Sequence, residues 1–539
     1  MKNLLFIIIV YAINIVAQVS VNVDSISFPP MFTGTSDSIF LYIKNSNSQL
    51  ADIHINNLKN VYSISDTLVS IPANDSNIVW IKYNPDQNVI DKDLIFITGD
   101  DSIIGTVVNL NGSGKFGDSY DATTFNLYDT QLKTVLTQLV SGHNSLGYNL
   151  ARDKMYMEID NQRVNGQGAP QNTLECVYTG RLAIGYVDRT DAQNNYNFNT
   201  EHTWPQSNFG EAEPMKSDLY HLFPTDNPAN AVRANYPFGN VISGVTWDSA
   251  GSKLGRNSLN QVVFEPRDVH KGNVTRSMFY FITRYPVNYG GFFTQTQENV
   301  FREWNHLDPV GSVEAARNNA IALLQLKRNP FIDHPEFVDR IYSFATSSVR
   351  PVLAMLTVLP YKVVFDSTLI GDSTLQQIYI ANSGSGQLVV DSITISDSRF
   401  TLNINNISID PYSSKKVLLQ FNPDSIKNYN TSLTVYSNGG VKKIVLTGIG
   451  KDNTVGIKDE SNIPLNFSLE QNYPNPFNPS TLINWQTPSG SWTTLKIFDA
   501  LGREIKTLIN EYMGSGVHST LYIVNSTLTS RNDFRINSS

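Results

Sequence analysis

The sequence predicts a multidomain chain in which a central α+β domain lies between two all-β sandwiches and a β-rich tail follows. Three observations predict it. The chain has 539 residues, enough for roughly three or four domains at ~150 residues each. Two segments, one near each end, repeat the same landmarks at matching spacing, the sign of a duplicated structural unit. Long helical periodicity is confined to the stretch between them. Hydrophobic residues make up 41% of the chain, so real cores can form and a wholly disordered chain is excluded.

The chain opens with Met1-Lys2-Asn3 and an apolar run from Leu4 to Val10 that continues weakly to Ala17. The run is shorter than the ~20 residues that span a bilayer. Residues 1–17 therefore read as a signal peptide cut near Ala17, with a retained anchor or a buried strand as lesser alternatives. Beyond it no stable membrane span is expected. Lys and Arg total 40 against 48 Asp and Glu, a formal charge of −8, which excludes a histone-like binder and leaves room for a local basic cleft. The single cysteine, Cys176, rules out an intrachain disulfide, a four-cysteine zinc site and an iron–sulfur cluster. Its expected role is that of a small buried hydrophobe.

The repeated segments are 18–115 and 351–451. Asp37-Ser38 and Asp372-Ser373 each open an apolar–polar run that ends on Asn45-Ser46 and Asn382-Ser383. Asn84-Pro85-Asp86 and Asn422-Pro423-Asp424 follow, and Gly-x-Gly-Lys closes each copy at Gly112–Lys115 and Gly448–Lys451. Alternation such as Val79-Trp80-Ile81-Lys82-Tyr83 predicts antiparallel sandwiches. No clustered titratable residues are read in either copy, so a spacer or weak binding role is expected.

The central segment, 116–350, holds every histidine except His54 and His518. Leu132–Val140 reads as an amphipathic helix. So does Val313–Leu326, with Ala316, Ala320, Leu323 and Leu324 near one face, entered after Gly311-Ser312 and ended before Asn329-Pro330. Turn-rich junctions suggest that few contacts cross to the sandwiches, so residues 116–350 are expected to fold alone.

The densest polar patch runs from Asn199 to Asn240. Glu201 and His202 are neighbours in an extended stretch and so face opposite sides; one can hold a metal while the other approaches a water. Asn230 follows in a helix-compatible stretch. A carboxylate and an amide oxygen are hard ligands suited to Mg²⁺ or Ca²⁺, whereas zinc would want more histidine or cysteine. Lys253, Arg256, Arg267, Lys271, Arg276 and Arg284 are interrupted only by Glu265 and Asp268. They are expected to form a phosphate-tracking surface that carries no base information. His221 and His270 read as packing residues, His306 and His334 as capping or loop residues, and Asp333 as a loop anchor beside Arg328.

Five blocks in order carry a resemblance: Asn199-Thr200-Glu201-His202-Thr203-Trp204-Pro205-Gln206-Ser207; Ser217-Asp218-Leu219-Tyr220-His221-Leu222-Phe223-Pro224-Thr225; Asn230 through Gly239; Phe264 through Gly272 with Arg276 to Tyr280; and Arg328 through Pro335. Residues 118 to about 345 resemble the bacterial endonuclease I family, a His-Me finger (ββα-metal) nuclease. The resemblance implies His202 as the general base that activates water and Glu201 and Asn230 as ligands of a divalent cation. It places Arg233 with the catalytic residues, supporting the site. Mg²⁺ is the expected ion, with Ca²⁺ or Mn²⁺ as alternatives, and the substrate is DNA, RNA or both. Tyr220, Asn273 and Thr275 depart from the family pattern, outside the Glu-His-Asn set.

The repeats resemble immunoglobulin-like modules of secreted bacterial proteins. After a polar linker, 452–462, residues 463–539 carry Asn472-Tyr473-Pro474-Asn475-Pro476-Phe477-Asn478-Pro479 and the Leu501-Gly502-Arg503-Glu504 turn. They resemble the C-terminal sorting domain of the type IX (Por) secretion system, departing from it in the polar Asn525–Asp533 end. That resemblance implies the type IX machinery as a partner and a secreted or cell-surface location; a monomer is expected. The rival reading is an adhesive or matrix protein with a degenerate nuclease core, against which the intact Glu201, His202 and Asn230 argue. A metalloprotease lacks its His-Glu-x-x-His motif here.

Overall fold

The computed structural model describes residues 19–99, 103–402, 404, 407–452, 466–473, 480–488, 490–498, 503–523 and 535–538. The signal segment, nearly all of the linker, the proline-rich run from 474 and the end from 525 to 533 lie outside the described residues. The chain divides into two compact units, Met1–Lys451 and Asp452–Ser539. No helix among the described residues is long and apolar enough to cross a membrane.

Both repeats fold as two-sheet sandwiches. In the first, strands Val19–Val21, Asp37–Asn45, Ser76–Tyr83 and Tyr62–Ile64 form one sheet in that order. Ser25–Ser27, Gly105–Lys115, Ile90–Gly99, Ala51–Asn56 and Leu68–Ile71 form the other, with Met31–Phe32 also on Gly105–Lys115. The second copy has the same plan, with Thr374–Asn382 and Ser413–Phe421 at the centre of one sheet and Gly440–Lys451 beside Asn428–Ser437 in the other.

The duplicated landmarks have a steric and hydrogen-bonding cause. A Cβ on Gly114 would meet the Gln87 carbonyl and Pro85, and one on Gly450 would meet the Ser425 carbonyl and Pro423. The closing strand thus lies against the Asn-Pro-Asp turn with no room for a side chain. Asn45 and Asn382, both fully buried, each donate from Nδ2 to three backbone carbonyls, those of Gln49, Ile71 and Pro72 and those of Gly386, Ile409 and Asp410. These amides satisfy carbonyls at a strand end and in the loops beside it.

Two expectations about the sandwiches fail. Titratable groups do cluster in the first copy. Asp91 accepts from Tyr83 Oη at 2.7 Å, and burial pushes its carboxyl up to about 6. Nearby, Asp93 accepts from the backbone of Leu58 and Lys59. Nor is the junction with the central domain sparse. Arg340, 1% exposed, donates to Asn88 Oδ1 of the first sandwich at 2.5 Å and to the carbonyls of Thr124 and Leu127 at 2.5 and 2.6 Å. Asn88 in turn donates to Thr124 Oγ1 at 3.0 Å. The two sandwiches also meet each other, through a buried cluster of Leu94, Val107, Leu359, Tyr379 and Ala381.

The central domain is built around the helix Lys271–Arg284, which is buried along nearly its whole length and packs on helices Asp129–Val140 and Gln295–Leu307. The helix Asp129–Val140 buries Leu132, Leu136 and Val140 at the expected spacing. The helix Ser312–Gln325 forms where the sequence places it but turns the other way. Its buried residues are Glu314, Arg317, Asn318, Ile321 and Gln325, while Leu323 is 82% exposed. The polar face wins because it is bonded. Arg317 donates to the Leu219 and Leu222 carbonyls at 3.2 and 2.6 Å, and Gln325 accepts from Leu219 N at 2.7 Å. Around this core lie three small sheets: Thr173–Glu175 with Leu182–Ile184, Phe198–His202 with Leu222–Asp226, and Ser243–Ser249, Ser252–Arg256 and Val262–Glu265.

The tail unit forms two three-stranded sheets, Ser468–Leu469, Ser480–Thr487 and Gly516–Ile523, and Glu504–Met513, Ser491–Phe498 and Arg535–Ser538. Ile483, Trp485, Leu495, Ile497 and Tyr522 form its core.

Removing the Arg340 side chain strands three buried acceptors, so Arg340→Ala is expected to cost about 3–5 kcal/mol of stability. Denaturant unfolding of the full chain checks it, and an unchanged midpoint would show that the first sandwich is not clamped there.

Candidate active site

The strand Phe198–His202 pairs antiparallel with Leu222–Asp226, placing Glu201 opposite Phe223 and His202 opposite Leu222. The helix Asn227–Arg233 follows at once. Asp226 caps it, accepting from Ala229 N at 2.8 Å, with Pro228 in the first turn, where a missing N–H costs nothing. The helix packs back on both strands. Asn230 and Arg233 are three residues apart and share one of its faces.

Arg233, 1% exposed, closes the unit. Its Nη2 donates to the Thr203 carbonyl at 2.6 Å and its Nη1 to that of Ala234 at 2.7 Å. Its Nε lies 3.0 Å from Glu201 Oε1, an ion pair too bent for a directed hydrogen bond. Tyr178 Oη donates to the same Glu201 oxygen at 2.8 Å. Burial raises the Glu201 carboxyl, and Arg233 and Tyr178 pull against it. Trp204, two residues past His202, stacks on Phe281 of the central helix with ring centroids 4.6 Å apart, fixing the end of the strand.

His202 sits on the other face, 6% exposed, between Tyr148 and His221 with ring centroids at 5.6 and 5.4 Å. Its Nε2 is 3.1 Å from the Lys216 carbonyl. A carbonyl only accepts, so Nε2 carries the ring proton and Nδ1 keeps a bare lone pair. Nδ1 makes no hydrogen bond among the described residues. Burial, with His221, lowers the ring's pKa to about 3, so the imidazole is neutral in this setting. The Lys216 segment is itself held, since His221 Nε2 donates to the Met215 carbonyl at 2.6 Å.

The residues suit a hard cation. Glu201 Oε2 and the half-buried Asn230 amide make no hydrogen bond among the described residues. Among those residues no group of three or more His, Cys, Asp or Glu gathers as a metal cage. One carboxylate and one amide oxygen match an ion that keeps most of its waters, and not zinc.

The structure thus joins Glu201 and Arg233 directly, with Asn230 on the same short helix and His202 on the opposite face of the strand. Arg233 is a positioning residue rather than a catalytic one, because its guanidinium is enclosed by Glu201, two carbonyls and the Phe238 ring 4.6 Å away. The expected phosphate surface shrinks. Lys253 and Arg256 lie on the strand Ser252–Arg256, with Arg256 exposed. Arg267 pairs with Glu175 and donates to the Val177 carbonyl at 2.9 Å. Lys271 is buried between Glu265 and Asp268, each at 2.7 Å. Arg276 is fully buried against Glu314 at 2.8 and 2.5 Å. Lys271 and Arg276 are therefore structural, spent on pairing inside the domain. Sequence reasoning missed Tyr178, Tyr148 and the Lys216 carbonyl. Tyr178 and Tyr148 come from distant segments, and the Lys216 contribution is a backbone atom that no residue type announces.

Comparison with known proteins identifies the families of two domains. Residues 129–336 match the Endonuclease I family, and residues 356–451 match the HYDIN/CFA65/VesB-like Ig-like domain. The chain is 33% identical over 235 residues to an extracellular ribonuclease of Bacillus amyloliquefaciens, covering 40% of this chain and 74% of the relative. It is 31% identical over 245 residues to an extracellular ribonuclease of Bacillus subtilis (strain 168), covering 42% and 76%. An extracellular deoxyribonuclease of Aeromonas hydrophila is 26% identical over 174 residues, covering 28% and 72%. With a matched domain that contains every residue of the strand–strand–helix unit, this chain belongs to the Endonuclease I family of nucleic-acid-hydrolysing endonucleases.

Proposed function

We propose that the protein is a secreted ββα-metal nuclease that hydrolyses phosphodiester bonds of DNA and RNA with low sequence specificity. The observation that carries this reading is the His202 ring. The Lys216 carbonyl occupies its Nε2–H, burial keeps it uncharged, and Nδ1 is left as the proton acceptor, one residue along the strand from a carboxylate with an uncommitted oxygen. His202 takes the proton from the attacking water at Nδ1. Glu201 and Asn230 would hold a divalent cation, Mg²⁺ in the first instance, which supplies charge neutralisation on the phosphate oxygens. Arg233 and Tyr178 orient Glu201, and Trp204 keeps the strand end in register. Lys253 and Arg256 offer charge to the backbone of the nucleic acid, a contact that carries no base identity. Relatives named as ribonucleases and as a deoxyribonuclease support both polymers as substrates.

His202→Ala is expected to lower cleavage of plasmid DNA and of RNA by ~10²–10⁴-fold or more while leaving the fold intact. A rate near that of the wild type would remove His202 from the mechanism.

Glu201→Gln and Asn230→Ala should each raise the Mg²⁺ concentration for half-maximal cleavage by about tenfold or more, the scale on which metal sites respond even to lost supporting contacts. Titration calorimetry with Mg²⁺ measures this directly, and unchanged affinity in both would refute the ligand assignment.

The tail from 463 is proposed to serve type IX export and residues 1–17 the first membrane passage. The extracellular naming of the relatives supports a secreted location. Deleting 463–539 should leave active nuclease in the cell envelope; undiminished activity in the medium would rule out that role.

A further inference from the structure

One face of the first sandwich is open where the matching face of the second is covered. Strands Asp37–Asn45 and Ser76–Tyr83 turn Leu41, Ile43, Val79 and Ile81 into the core, so the residues between them point outward. Register sets these outward residues in rows: Lys44 beside Ser76, Tyr42 beside Ile78, Phe40 beside Trp80, and Ser38 beside Lys82. Phe40 and Trp80 are 42% and 50% exposed, with their rings edge to face at 5.9 Å. Ile78 is exposed and Tyr42 half-buried.

In the second copy the same rows are Ala381 beside Ser414, Tyr379 beside Lys416, Gln377 beside Leu418, and Leu375 beside Gln420. There Tyr379 and Ala381 are buried against Leu94 and Val107 of the first sandwich. The duplicated unit therefore uses this face to dock. The second copy also builds the sheet with Gln377 and Leu418 where the first has Phe40 and Trp80, so the fold does not require the two rings. Contiguous exposed apolar residues of this kind mark interaction sites.

Charge decides the partner. Lys44 and Lys82 stand on this face at opposite ends of the aromatic rows, about 20 Å apart along the strands. Neither makes an ion pair or hydrogen bond among the described residues. The flanking strands add Ser20 beside Lys44 and Ser63 beside Lys82, so these rows hold no carboxylate. Asp66, past the end of Tyr62–Ile64, accepts from Ser65 Oγ at 2.8 Å. A chain of formal charge −8 thus keeps an aromatic face whose rows carry positive charge alone. Rings for unstacked bases and cations for phosphates are the elements of single-strand binding. Glycan hydroxyls would ask for carboxylates or amides beside the rings, but the Asn22 amide oxygen at the edge already accepts from Tyr42 N at 3.0 Å. A second copy docked by two-fold symmetry would set lysines against lysines.

We infer that this face binds a single-stranded segment of nucleic acid, with bases stacked on Phe40, Tyr42 and Trp80 and phosphates at Lys44 and Lys82. The inference rests on the nuclease reading for the class of ligand and adds a substrate-holding site apart from Glu201, His202 and Asn230.

The test uses the full chain in EDTA, so that binding is read without cleavage. The probes are a fluorescein-labelled oligodeoxythymidine and a labelled duplex of equal length, followed by anisotropy. Phe40→Gln and Trp80→Leu match the second copy at the equivalent positions, so both variants keep a sheet that the chain already builds. Each should weaken single-strand binding about fivefold or more, the scale of one base–aromatic stack, and leave duplex affinity within about twofold. Lys44→Gln combined with Lys82→Gln should lower the slope of log affinity against log salt by about one. Single-strand affinity absent in the wild type or unchanged in both aromatic variants, or an equal loss for strand and duplex, would overturn the site. So would a Trp80-dependent response to cellohexaose or Trp80-dependent self-association in sedimentation, which would give the face to a glycan or to a second copy. Plasmid cleavage with Mg²⁺ judges the nuclease reading separately, and both aromatic variants should retain it. An inactive wild type would overturn that reading and the ligand class that rests on it.

Discussion

Arg233 and Glu201 meet 3.0 Å apart in a setting from which both are almost excluded from water. An ion buried without a partner costs several kcal/mol, so each of these groups requires the other. Because Arg233 is on the helix and Glu201 on the strand, the pair sets where the helix lies on the two-stranded ribbon. Asn230 is carried along, one turn earlier on the same face. Tyr178 and the Thr203 carbonyl complete the coordination of the pair. The cost of charge burial thereby becomes geometric precision at the site. His202 faces the other way along the same strand and is held by a backbone carbonyl instead of a charge.

The same logic runs through the nuclease core. Arg276 with Glu314, Arg317 with Asp160 and Asp218 with the hydroxyls of Tyr280 and Tyr285 are buried or nearly so. A chain with one cysteine cannot cross-link its loops, and these bonds tie them down. Satisfied polar networks in a low-dielectric interior specify a unique arrangement more strongly than apolar contact does. They explain why the helix Ser312–Gln325 buries its polar face. Loops carrying Leu219 and Leu222, which lead into the ribbon, hang from that helix.

The sandwiches are more than spacers. Although the whole nuclease segment separates them in sequence, they share the cluster around Leu94 and Tyr379, and Asn88 of the first is locked to Arg340. The first sandwich therefore touches both neighbours within one compact unit. A nuclease emitted between two domains that close on each other has its termini fixed, which limits the conformations open to its N-terminal helices and to the segment around His334.

The duplication and the strand and helix positions of Glu201, His202 and Asn230 were legible in the sequence because each rests on local requirements. Gly114 and Gly450 are dictated by a turn that leaves no space for a Cβ, and Asn45 and Asn382 by carbonyls that need a donor. Glu201 and His202 face apart because strand neighbours do, and Asp226-Asn227-Pro228 starts a helix by its own chemistry. What the sequence could not decide was which charges remain free. Lys271 and Arg276 read as a phosphate surface, but they are consumed by Glu265, Asp268 and Glu314, two of them local and one 38 residues away. Leu323 reads as core and is exposed, because Arg317 and Asn318 had bonds to make across the domain. Periodicity and composition record what each residue prefers alone. Competition among distant partners for the same buried space is settled only when the tertiary structure brings them within hydrogen-bonding reach.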